Sequence, residues 1–142
     1  MRSNYLNFTV VAVIFLALTI GCGSLTTAKP AADKAIAEFH ILLNDGKFQQ
    51  IYDSSDSALK EAATFEKINE LFEAVNRKLG KVVSTKNQNF NVRTFNLTTQ
   101  ATIVQDTKFE RGDATETFTF KVDGDKAVLQ GYYINSMDLI TK

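Results

Sequence analysis

At Gly80 the apolar rhythm of the chain changes, and this change limits the fold more than any other feature. Before it, apolar residues recur every three or four positions. Phe65, Ile68, Leu71, Phe72, Val75 and Leu79 fall on one helical face, Thr64 stands where a cap belongs, and Gly80 follows as a stop. After it, Thr, Val, Phe and Tyr become frequent and the period drops to two. Thr115–Val122 puts Phe118, Phe120 and Val122 on one face and Thr117, Thr119 and Lys121 on the other. A chain that is first helical and then alternating must lay its helices on one face of an antiparallel sheet, an α+β architecture.

The other elements follow from the same spacing. Ala32, Ile36, Phe39 and Leu43, flanked by Ala35 and Leu42, predict an amphipathic helix over 31–44, with Pro30 just before its start. Asn44-Asp45-Gly46 ends it, Gly46 suiting a left-handed cap. Phe48–Tyr52 predicts a second short helix, residues 53–57 a loop rich in capping residues, and Ala58–Ala63 a helical turn. Within the helix before Gly80, the Glu73–Arg77 pair has the spacing to help modestly. Lys81–Lys86 and Phe90–Phe95 read as one strand broken at 87–89, or as two strands. Thr98–Glu110 reads as a long bulged strand, Arg111-Gly112-Asp113 as a tight turn, and Asp123-Gly124 as a hairpin leading into a last strand, Lys126–Asn135.

Residues 1–22 read as an address. Arg2, an apolar run from Phe8 to Ile20 and Gly21-Cys22 follow the order of a secretory signal. The run is short of the roughly 20 apolar residues that span a bilayer. Leu18-Thr19-Ile20-Gly21-Cys22 resembles the lipobox of bacterial lipoproteins, with Thr19 where Leu is usual. That resemblance implies signal cleavage between Gly21 and Cys22 and lipidation of Cys22, the only cysteine. It implies an exported, lipid-anchored protein of the cell envelope, bound for the outer membrane if the cell is Gram-negative, because Gly23 is not Asp. The expected organisation is a signal peptide at 1–21, a small, polar, lipidated tether at 22–30, and one domain at 31–142.

Charge excludes one class of partner. The chain carries 16 basic and 16 acidic residues. Without residues 1–21 it loses only Arg2, which leaves 15 against 16 and a net charge of −1. Nucleic acid would call for a clustered basic face, and none is present. With 11 Phe and no Trp, the core rests on Phe and aliphatic residues.

Leu43-Asn-Asp-Gly-Lys-Phe48, Asn76-Arg-Lys-Leu-Gly80, Thr107-Lys-Phe-Glu110 and Gly131-Tyr-Tyr-Ile-Asn-Ser136 carry a second resemblance. Over about residues 31–136 the chain resembles uncharacterised bacterial exported proteins of the NTF2-like, or cystatin-like, superfamily. A Trp usual before the last Gly-Tyr segment is absent, and Ala127-Val128-Leu129 stands in that region. The resemblance implies helices packed on a curved sheet, able to enclose a pocket. Tyr52, Phe72, Phe118, Phe120 and Tyr132 are the candidate lining. Some proteins of this fold are enzymes, and those resembling ketosteroid isomerase place a carboxylate base and an acidic hydrogen-bond donor in that pocket. Tyr52, Tyr132 or Tyr133 with Asp53 or Asp56 could supply such a pair, but nothing in their spacing selects them.

The remaining candidates read as structure. His40, the only histidine, is placed on the side of its helix away from the Ile36–Leu43 stripe, at the surface. One His and one lipidated Cys exclude a His/Cys metal site. Arg111-Gly112-Asp113 matches an adhesion tripeptide but is good turn chemistry, and Asp123-Gly-Asp125 lacks the calcium-loop pattern. No catalytic residues, metal or cofactor are implied. The expectation is a non-enzymatic domain, anchored to a membrane through its N-terminal lipid, that binds an envelope protein or a small apolar ligand. A small hydrolase or isomerase using the fold's pocket is the alternative.

Overall fold

The computed structural model describes residues 23–141. The expectations for Gly21 and Cys22 lie outside that range. Four helices come first: α1 (Gly23–Asn44), α2 (Phe48–Asp53), α3 (Ser57–Ala62) and α4 (Phe65–Lys78). Four strands follow: β1 (Val82–Phe95), β2 (Thr98–Phe109), β3 (Gly112–Asp123) and β4 (Lys126–Asn135), with α5 (Met137–Thr141) at the end. The strands form one antiparallel meander in the order β1-β2-β3-β4. This is the α+β architecture expected: helices followed by an open, curved antiparallel sheet, a layout compatible with the NTF2-like fold.

Residues 87–89 do not break the first strand. They make a register shift between Asn87 and Asn89 within a single strand, and a second shift lies between Val82 and Ser84. Such bulges bend a strand and increase its twist. A third shift, in β4, separates the pairs Thr119–Gly131 and Phe120–Leu129.

Helix α1 begins at Gly23, eight residues before the expected start, and Pro30 lies inside it. An interior proline removes one backbone N–H and costs about 3 kcal/mol or more. Burial explains why the helix nevertheless continues. Ala28, Ala31 and Ala32 are all buried in the core, at helical spacing, while Pro30 is exposed. Residues 23–30, expected as a tether, are therefore part of the domain's first helix.

The turn after α1 behaves as the sequence predicts. The Lys47 N–H donates to the Leu42 carbonyl at 2.8 Å and the Gly46 N–H to Leu43 at 3.1 Å, with Gly46 at φ +70°. This is a Schellman closure, and it needs a residue that tolerates the left-handed region. Two smaller expectations change. Thr64 holds the N-cap position of α4 without a side-chain capping bond. Glu73 accepts from the Asn69 amide at 2.8 Å, where Arg77 had been the expected partner.

The core lies between the helices and the inner sheet face. Phe39 of α1 meets Phe72 of α4 edge-on at 5.5 Å between ring centres and Phe118 of β3 at 5.1 Å. Tyr132 packs on Phe118 at 5.2 Å. Alternation along β2 and β3 delivers Ala101, Ile103, Phe109, Ala114, Phe118, Phe120 and Val122 to this face.

Candidate functional site

The same alternation carries Glu116 inward. It lies between Ala114 and Phe118 on the inner face of β3 and is 0% exposed. A lone buried carboxylate is costly unless hydrogen bonds and charge stabilise it. Here four side chains converge on it. On Oε2, His40 Nε2 of α1 lies at 2.9 Å, the Gln105 amide of β2 donates at 3.2 Å, and the Thr107 hydroxyl donates as well. The Tyr132 hydroxyl of β4 donates to Oε1 at 2.7 Å. Gln105 also donates to Thr107 Oγ1 at 3.2 Å.

Two titrations are displaced. Burial pushes the Glu116 carboxyl up, but the hydrogen bond and charge of His40, with the Thr107 and Tyr132 hydroxyls, outweigh it. The carboxyl is held below its ordinary 4.5. Burial pushes the Tyr132 phenol well above 10.0, and the adjacent Glu116 charge and hydrogen bond add to that. The stable arrangement is thus an anionic carboxylate accepting from a neutral phenol.

His40 was expected at the surface, and the structure corrects this. It is 8% exposed and packs edge-on against Phe118 at 5.8 Å. The physical reason is helical spacing: residues 36 and 40 are four apart, so His40 lies above Ile36 on the buried stripe. Glu116, Gln105 and Thr107 were missed as well, although the period of two places each of them on an inner strand face.

Of the five expected lining residues, Phe72 and Phe118 are fully buried within the core and Tyr132 belongs to the Glu116 cluster. Tyr52 lies elsewhere, donating to the Ala63 carbonyl at 3.2 Å and packing on Phe65. Only Phe120 lines a cleft. That cleft, of about 120 Å³, lies between α1, α2 and β4, with Ala35, Phe39, Leu42, Ile51 and Leu129 as its apolar walls and Glu38 and Ser54 as polar members. Among the described residues, none of the expected tyrosine–aspartate pairs is hydrogen-bonded. Tyr133 is exposed, Asp53 accepts from Gln49 at 2.8 Å, and Asp56 caps α3 through the Ala58 N–H at 3.0 Å.

Arg111-Gly112-Asp113 is tied into the fold. The Arg111 guanidinium donates to the carbonyls of Asn76 and Arg77, both at 2.8 Å, closing the end of α4. A Cβ on Gly112 would approach the Asp138 carboxylate to 2.4 Å. Among the described residues, no group of three or more His, Cys, Asp or Glu is arranged to hold a metal ion.

A family described as "Protein of unknown function (DUF3887)" matches residues 37–129. The chain belongs to this family. The DUF3887 match runs from the middle of α1 to Leu129 of β4, so it takes in His40, Gln105, Thr107 and Glu116 and ends before Tyr132. No curated protein matches the chain.

Proposed function

We propose that this protein is a membrane-anchored, non-enzymatic lipoprotein of the bacterial envelope. Its NTF2-like domain binds a small apolar group, from a ligand or from an envelope protein, in the cleft between α1, α2 and β4. The closed state of the Glu116 cluster carries this reading. A general base must reach the proton it abstracts, whereas Glu116 is fully buried and its oxygens already accept from four side chains. This acid–base cluster therefore serves the fold. The cleft's volume is near the ~150 Å³ of apolar cavities that hold benzene-sized guests.

The anchor rests on the apolar run 8–20 and on Cys22. No helix among the described residues is long and apolar enough to cross a membrane. Palmitate labelling of the wild type that is lost in Cys22→Ser tests this half; labelling that persists in Cys22→Ser overturns it.

The sole histidine tests the other half. Diethyl pyrocarbonate should modify His40 only as fast as the protein unfolds. Modification of the folded protein at the rate of free imidazole would show the cluster to be reachable. It would favour the hydrolase or isomerase reading, for which the meeting of Glu116, His40 and Tyr132 inside an NTF2-like concavity is the specific observation.

A further inference from the structure

The direction of α1 relates the two ends of the sheet to the N-terminal segment. The Asn44 side chain accepts from the Val82 N–H at 2.9 Å, and Lys29 lies over the Phe90 ring at 5.8 Å. Helix α1 therefore runs antiparallel to β1. At about 1.5 Å per residue, Gly23 lies ~9 Å beyond Lys29 along the helix, toward the β1–β2 turn. At about 3.3 Å per residue, Phe95 lies ~16 Å beyond Phe90 in the same direction. The start of α1, one residue after Cys22, and the tip of the β1–β2 hairpin are at one end of the molecule.

That tip holds two exposed large apolar residues within three positions of one turn. Phe95 is 78% exposed and Leu97 is 102% exposed. Leu97 has φ +62° and Asn96 φ +48°, the left-handed pair of a tight hairpin turn. Asn is common in that region; Leu gains nothing there and holds its side chain fully in water. From Asn87 to Gln105 the only charged residue is Arg93. The neighbouring β3–β4 turn carries Asp123 and Asp125 beside Lys121 and Lys126, so with Arg93 these groups leave a single net positive charge at this end, not a charged patch.

We propose that the β1–β2 tip is a second membrane contact, with Phe95 and Leu97 entering the interfacial layer of the bilayer to which the N-terminal segment is attached. This rests on the anchored reading above. The acyl chains on Cys22 supply the attachment, at about 0.8 kcal/mol for each buried CH₂, and apolar side chains at the tip add a contact to it. Apolar side chains at the anchored end would also fix the orientation of the domain, holding the cleft and the outer sheet face at a set height above the lipid.

The test uses the full chain, produced in a bacterium that processes lipoproteins and reconstituted into phosphatidylcholine vesicles. With Cys22 acylated, an introduced cysteine is the only free thiol. An environment-sensitive fluorophore is placed at Thr98→Cys, beside the tip, or at Ile140→Cys, an apolar position that is 75% exposed at the opposite end. The expected result is severalfold stronger quenching by nitroxide-labelled lipid at position 98 than at 140. Adding Phe95→Ser and Leu97→Ser to the Thr98→Cys chain should abolish the difference. Equal quenching at both positions, on protein that stays vesicle-bound, overturns the tip contact and leaves the anchor standing. Protein that is unacylated by mass spectrometry and fails to float with vesicles overturns the anchor, and the tip contact with it.

Discussion

At the end of the sheet where Val82 pairs with Phe109, side chains hold the chain in place at every turn. Asn44 accepts from Val82, Asn76 donates to the Leu43 carbonyl at 2.8 Å, and Arg111 closes α4. Behind these contacts lies the Glu116 cluster. At the other end the β1–β2 hairpin runs out beyond the helices, exposed along most of β1, and finishes in Phe95 and Leu97. The first end surrounds a buried charge with hydrogen-bonding partners, although Asn76 Oδ1 is left without one and Met137 and Ile140 stand exposed there; the other gathers two exposed apolar side chains on one turn. The first arrangement is what stability requires of a buried charge. The second adds nothing to the stability of the isolated domain, which is why it points to something outside the chain.

The comparison is broken most severely at Glu116. Glu116→Ala leaves His40, Gln105, Thr107 and Tyr132 facing a cavity with their shared acceptor gone. Removing one partner of a buried ionic cluster costs about 3–5 kcal/mol, to be read from urea unfolding. A loss no larger than about 0.5 kcal/mol, the scale of surface substitutions, would mean the cluster is not structural. The acid limb carries a sign of its own. The folded Glu116 carboxyl titrates below 4.5, so its stabilisation is whole above that pH and is lost as pH falls through the folded value. In Glu116→Gln that part of the acid limb should flatten.

Tyr132 gives the alkaline counterpart. Its folded titration lies well above 10.0. The stabilisation is whole below pH 10 and is lost as pH rises toward the folded value. Phenolate absorbance should therefore show a step for Tyr132 that comes only with unfolding. In Tyr132→Phe that late step should vanish.

Gly80 sharpens the contrast at an intermediate scale. It has φ +82°, and a Cβ there would come within 2.6 Å of Glu110 Oε2, the atom that accepts from the Lys81 N–H at 3.0 Å. Gly80→Ala combines left-handed strain, about 1–2 kcal/mol for a side chain, with displacement of that carboxylate. A fall in thermal midpoint is expected.

The elements were legible because burial and period agree along most of the chain. The four-strand meander and helix α4 follow from alternation and three–four spacing alone, and β4 spans the residues the sequence predicts. The start of α1 was not legible. Pro30 and the small polar residues around it signal a boundary, and only the burial of Ala28, Ala31 and Ala32 shows why the helix crosses it. The cluster was half legible. Glu116 shares the parity of Phe118 and Phe120, and His40 lies four residues from Ile36, so each position was marked as inward. What the sequence withheld was the pairing: residues 40 and 116 are 76 apart and meet only because α1 packs across β3. A charged residue on an apolar face reads as an interruption until its partner is known. The exposure of Leu97 was equally hidden, since an apolar residue next to a turn ordinarily reads as the edge of a strand.

Leu97→Gly has the smallest expected effect and separates the two ends most cleanly. Glycine reaches φ +62° without the steric penalty of a Cβ, and Leu97 buries nothing that would be lost. The substitution also loosens the unfolded chain, which works against it. The balance should be a gain of up to about 1 kcal/mol in unfolding free energy. Gly80→Ala and Leu97→Gly thus exchange the same two kinds of residue at left-handed positions and should move stability in opposite directions. If Leu97→Gly destabilises the domain by as much as Gly80→Ala, Leu97 packs against something within its own chain, and its exposed side chain no longer calls for a lipid surface.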